Sequence, residues 1–219
     1  MKRAKHPFEF RSHLVLVELT GWTAKNLTEL VEKLRNAPDS VVYHHTHHFL
    51  QQHLWLSPEP PNDFAYWVRN SLEDDLLAEK LAAISPLESQ SVSDLRDKIV
   101  ATIVDHIRKS GNSRQCPEGE EFRFMKATLF IIPTSFVAWT IEEFADAIEH
   151  VSIHSLYYHM VEARLRLGKP TNDFSFWLST SLDENWLAGA LNRIDPYTYT
   201  MEGLRQKILE LVQSRIARS

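Results

Sequence analysis

Cysteine is nearly missing from this 219-residue chain: Cys116 stands alone, so no intramolecular disulfide can form and a stapled secreted scaffold is excluded. Glycine is scarce too, at 6 residues, and none is arranged as a loop that would cradle a phosphate. There is no Gly-x-Ser-x-Gly elbow, no His-Glu-x-x-His helix and no Cys-x-x-Cys pair. No apolar run approaches the roughly 20 residues that span a bilayer. The run Leu14 to Leu19 behind the basic N-terminus is short and contains Glu18, which a secretory signal would not tolerate. A basic excess is also missing, with Lys and Arg at 24 against Asp and Glu at 29 for a net charge of −5, so a phosphate-binding nucleic-acid surface is not expected. The expectation is a cytoplasmic protein with no membrane and no nucleic-acid partner.

What is present is ordinary globular material, 43% hydrophobic and 24% charged, enough for a sizeable core. It is also internally similar. Asn62 to Ile84 aligns without a gap on Asn172 to Ile194, keeping Asn, Asp, Phe, Trp, Ser-Leu, Leu-Ala, Leu and Ile in place. Phe8-Glu9-Phe10 answers to Phe122-Arg123-Phe124, and Leu95-Arg96 to Leu204-Arg205. This order of matches reads as a tandem duplication. The first helical repeat would be residues 1–110 and the second 122–219, joined by the glycine- and proline-containing linker 111–121.

Capping signals recur in both halves. Asn26 to Glu29 and Thr140 to Glu143 fit the capping box, as do Ser71 to Asp74, Ser181 to Glu184, Ser91 to Asp94 and, more weakly, Thr200 to Gly203. Val92, Leu95, Ile99 and Ile103 share one helix face, as do Met201, Leu204, Ile208 and Val212. The opening runs 8–19 and 122–132 are β-branched and aromatic, and suit either a short strand or an extended arm. The expected fold is therefore mainly α: a duplicated unit of about five helices, packed with pseudo-two-fold symmetry, with a short strand or arm opening each copy.

Chemistry, if any, should centre on Ser40 to Phe64, which holds five of the 11 histidines. On a helix from Val41 to about His53, His44 and His48 fall four apart and His44 and His47 three apart, common metal-ligand spacings. Aligning Ser40-x-x-Tyr43-His44 with Ser155-x-x-Tyr158-His159 makes His44 the partner of His159 and His47 the partner of Glu162. His44, His47, His48, His159 and Glu162 thus form a candidate site for a divalent transition metal such as zinc or iron. The plainer reading is histidines hydrogen-bonded in a half-buried interface.

Asn62-Asp63-Phe64-x-x-Trp67 and Asn172-Asp173-Phe174-x-x-Trp177 read first as helix caps with an apolar face. Their functional version sets Asp63 and Asp173, with Tyr43 and Tyr158, against a ligand. Arg164 has no basic counterpart in the first copy and suits an anionic group.

The Ser40-x-x-Tyr43-His44 frame, the Pro60-Pro61-Asn62-Asp63-Phe64-Ala65-Tyr66-Trp67 stretch and Tyr157-Tyr158-His159-x-x-Glu162 together resemble an uncharacterised bacterial family. That family is catalogued as a domain of unknown function, and the resemblance covers nearly the whole chain. It implies a bacterial cytosolic protein and carries over no catalytic residue. Two readings stand. One is a non-catalytic binding or interaction protein with a ligand cleft between the repeats, whose partner is a small molecule, a protein or a second copy. The other is a metal-dependent protein or enzyme using the His/Glu site.

Overall fold

The computed structural model of the chain describes residues 2–48, 62–86, 89, 91–110, 114–163 and 171–218. Two strands, β1 (Phe8–Ala24) and β2 (Phe122–Ala138), pair as a two-stranded antiparallel sheet. Alternation drives both openings: Phe8 and Phe10 are buried while Glu9 and Arg11 are exposed, and Phe122 and Phe124 are buried around an exposed Arg123. Three side-chain contacts tie the strands together. Thr134 Oγ1 donates to the Phe10 carbonyl at 2.7 Å, Thr20 Oγ1 donates to the Phe124 carbonyl at 2.7 Å, and Lys126 pairs with Glu18 at 3.1 Å.

Between the strands run α1 (Leu27–Asn36), α2 (Asp39–Tyr43), α3 (Asp63–Asn70), α4 (Asp75–Ala82) and α5 (Val92–Ser110). After β2 come α6 (Ile141–His150), α7 (Ile153–Tyr157), α8 (Asp173–Ser181), α9 (Asn185–Asn192) and α10 (Met201–Ile216). Helix α2 continues into a π-helical turn at His44–His48, and α7 into another at Tyr158–Glu162. No helix among the described residues is long and apolar enough to cross a membrane.

The expected caps hold at Asn26, Thr140, Ser91 and Thr200, each accepting a hydrogen bond from the amide three residues on. Glu29 and Glu143 reach back to the amides of Lys25 and Trp139. The boxes expected at Ser71 and Ser181 instead mark the ends of α3 and α8. Asp74 caps α4, and Glu73 and Asp183 take the left-handed turn with φ of 51° and 54°.

The chain divides into two compact units, one of residues 1–14 with 129–219 and the other of residues 15–128. In the first, the Phe8 ring lies 5.9 Å from Phe144 and 5.3 Å from Phe174. In the second, Phe122 lies 5.1 Å from Phe64 and 5.6 Å from Trp67, within a core that includes Leu30, Leu34, Val68, Leu81, Leu95 and Ile99.

The expectation of a mainly α fold made from a duplicated five-helix unit does not hold. The protein is an α/β fold, 59% helical and 18% strand, and the short strands or arms are 17-residue strands. The physical reason is non-local. A strand needs its backbone groups paired, and the pairing partner of each opening run is the other opening run, more than a hundred positions away. Local periodicity carries no trace of that pairing.

Candidate functional site

The π turns place one histidine in each unit between a strand and a helix start. In the 15–128 unit, His45 Nδ1 lies 2.7 Å from Asp63 Oδ2, and the Met125 amide donates to His45 Nε2 at 2.9 Å. In the other unit, His159 Nδ1 lies 2.7 Å from Asp173 Oδ2, and the Arg11 amide donates to His159 Nε2 at 2.8 Å. A backbone N–H can only donate, so Nε2 accepts in both rings and Nδ1 carries the proton given to the carboxylate. Each imidazole is a tie between a strand-edge amide and the first turn of a helix. Both rings are buried, against Phe122 at 4.6 Å in one case and Phe8 at 4.8 Å in the other. Ser155 Oγ adds a bond to the Arg11 carbonyl at 2.8 Å. The Asn-Asp-Phe motifs serve the same tie: Asn62 and Asn172 cap α3 and α8, Asp63 and Asp173 receive the imidazoles, and Phe64 and Phe174 are fully buried.

These contacts correct the register read from the sequence. His45 is the counterpart of His159, while Tyr158 stands where His44 does and Glu162 where His48 does. The offset of 114 positions that carries Phe8 to Phe122 and Asn26 to Thr140 also carries His45 to His159. That offset is the signal the sequence holds, and the repeated Tyr-His pair obscures it.

The remaining candidates are buried and divide between the two units. His44, His47 and His48 belong to the 15–128 unit, and His159 and Glu162 to the other. The His44 and His48 rings are 5.3 Å apart, and His47 stacks on Tyr43 at 5.6 Å. Burial pushes His47 down to about 4. Burial, with His45 and His48 beside it, pushes His44 down to about 4 against the pull of Asp63. Glu162 Oε1 lies 3.6 Å from His13 Nε2, both buried; His13 belongs to no motif that marks it in the sequence. Among the described residues, no group of three or more His, Cys, Asp or Glu side chains is placed to hold a metal ion. Arg164, with the proline-rich turn before Asn62, lies outside the described residues.

A pocket of about 280 Å³ opens beside His159. Tyr158, Asp173, Phe176 and Trp177 line it from the helices, and Glu9 and Arg11 from β1. Tyr158 and Trp177 are buried, whereas Phe176 is 43% exposed at the rim. Arg11 pairs with Glu9 at 3.4 Å. Tyr158 and Asp173 are sequence candidates; Glu9, Arg11 and Phe176 are not, because only the strand's docking on α7 and α8 makes them neighbours. Tyr43 and Asp63 belong to the other unit.

Among solved structures, the chain is similar to "The structure of OrfY from Thermoproteus tenax", at 34% identity and a TM-score of 0.83. The match covers 97% of this chain and 96% of that one. No curated protein matches the chain. Residues 5–213 match the family described as "Family of unknown function (DUF5752)", and the chain belongs to that family.

Proposed function

We propose that the protein is a non-catalytic cytoplasmic binding protein that takes a small ligand in the pocket beside His159. The observation that supports this most is the commitment of His159: both ring nitrogens are spent on the Asp173 and Arg11 bonds. A general base or a metal ligand needs one of them released, whereas a binding wall needs them fixed. The two bonds hold Tyr158, Asp173 and the β1 segment in one geometry, with aromatic walls and a few convergent polar groups, as ligand pockets require. At about 280 Å³ the pocket suits a fragment-sized molecule. Ligand-observed NMR with a mixed fragment set tests this. Binding should be lost in Phe176→Ala while the unfolding midpoint stays within about 1 °C, since the side chain is at the rim. A set with no Phe176-dependent binder rejects the reading.

A second reading, a protein partner, draws on the strands. In the unit of residues 1–14 with 129–219, β1 exposes Leu14 at 61% and β2 exposes Phe130 and Ile131 at 52% and 49%. Exposed apolar runs of this kind mark interaction surfaces, and a two-stranded sheet is marginal by itself. A second copy is the simplest occupant. Light scattering should show a dimer that Leu14→Glu with Phe130→Glu dissociates; a monomer at about 100 μM, a concentration that would populate all but weak complexes, removes this reading.

A further inference from the structure

A groove of about 480 Å³ runs along α1 in the 15–128 unit, where α1 packs on α5. It shares no lining residue with the pocket beside His159, and its volume falls within the roughly 300–1,000 Å³ of ligand sites. Among the described residues its apolar lining is aliphatic: Val31 is buried, and Val104 and Ile107 are half-buried. Glu32 and Arg35 line it as exposed side chains. An acid and a base three positions apart on a helix commonly pair. Here they do not: among the described residues, neither the Glu32 carboxylate nor the Arg35 guanidinium has an ion pair or a hydrogen bond. Asn36 Nδ2 donates to the Glu32 carbonyl at 3.0 Å, which leaves Asn36 Oδ1 as an acceptor. The other copy carries different chemistry at these positions. The offset of 114 sets Ala145, Asp146 and Glu149 of α6 where Val31, Glu32 and Arg35 stand. The offset that carries Leu95 to Leu204 sets Gln213 of α10 where Val104 stands.

We propose that this groove binds a free α-amino acid with a branched aliphatic side chain. Arg35 donates two parallel hydrogen bonds to the α-carboxylate. Glu32 and Asn36 Oδ1 accept from the α-ammonium, and the negative end of α1 adds to that attraction. The ligand's side chain lies on Val31, Val104 and Ile107, out of water. A simple anion is repelled by Glu32 and a simple cation by Arg35, so a zwitterion alone satisfies both. A direct Glu32–Arg35 pair would be exposed and weak, and competes little with the ligand.

Calorimetry and methyl NMR on the full chain test this with leucine, leucinamide, N-acetyl-leucine, N-acetyl-leucinamide and glycine. Leucine should bind with a dissociation constant of about 1 mM or below and shift the methyl signals of Val31, Val104 and Ile107. Leucinamide, N-acetyl-leucine and glycine should each bind at least about tenfold more weakly, for want of the carboxylate, the ammonium or the apolar stem. Arg35→Gln should weaken leucine about tenfold without weakening leucinamide, and Glu32→Gln should weaken leucine about tenfold without weakening N-acetyl-leucine. Both side chains are exposed, so each variant should keep its unfolding midpoint within about 1 °C of the parent. If N-acetyl-leucinamide, which carries the side chain without either charge, binds as tightly as leucine, the groove takes an apolar side chain of a partner protein and the amino-acid inference is overturned. It is overturned equally if neither substitution changes leucine affinity, if the three methyl signals stay in place, or if leucine shows no binding at about 20 mM.

Discussion

Replacing His159 with Phe keeps a ring packed among Phe8 and Phe174 but removes both hydrogen bonds, which makes it the most direct probe of the tie. The Nδ1–H bond to Asp173 at 2.7 Å is to a charged group and is worth about 1.5–3 kcal/mol. The Arg11 amide, which donates to Nε2 at 2.8 Å, loses its acceptor in a partly buried position, for about another 1–3 kcal/mol. His159→Phe should therefore destabilise by roughly 4 kcal/mol. Asp173→Ala should cost about 2 kcal/mol, and the double variant should recover about 2 kcal/mol of the combined loss as coupling energy. Urea unfolding followed by tryptophan fluorescence and far-UV circular dichroism gives the cycle, with coincidence of the two probes checking two-state behaviour. Amide exchange at Arg11 should speed up in His159→Phe, and imidazole nitrogen NMR of the parent should show the proton on Nδ1. A coupling below about 0.5 kcal/mol, no larger than independent sites show, or a proton on Nε2 would refute the tie. The same cycle on His45 and Asp63, read at the Met125 amide, should behave alike.

Acid sensitivity follows from His47, whose burial holds it at about 4 against an ordinary 6.5. As pH falls, the unfolded chain is protonated first, so stability is full above about pH 6.5 and is lost between 6.5 and 4, by roughly 3 kcal/mol. His44, likewise held at about 4, adds to the loss over the same window. Urea midpoints compared at pH 7 and pH 4.5 should therefore fall by at least this much, and His47→Phe should remove only the share that His47 contributes. Thr140→Ala removes the cap that accepts the Glu143 amide at 3.2 Å and should cost about 1 kcal/mol in the same assay. Glu73→Gly should raise stability by up to about 1 kcal/mol, because glycine takes the positive φ of 51° without strain; a drop would show that the Glu73 side chain holds the turn.

Elements written locally are legible in the residues themselves. The caps at Asn26, Thr140, Ser91 and Thr200 and the apolar faces of α5 and α10 each depend on residues within one or two turns of each other, and all form as the sequence indicates. Asp173 and Tyr158 line one pocket, and both lie in motifs that the chain carries twice. The register of the histidines is not legible in this way, because Tyr43-His44 and Tyr158-His159 match as letters while the backbone aligns His45 with His159.

By itself, the sequence determined a chain rich in helix, without disulfides or membrane-spanning helices among its described residues, that carries similar histidine, asparagine and phenylalanine signatures twice. Tertiary structure alone decided that Phe8 and Phe10 enter the core with α6 and α8, and that Phe122 and Phe124 enter the core with α3. It alone decided that His45 and His159 are ties, and that Glu9 and Arg11 meet Asp173 at one pocket. The reason is physical. Caps and helix faces are set by contacts a few residues apart, whereas strand pairing and the partners of a buried imidazole are chosen by which distant backbone amides must be satisfied.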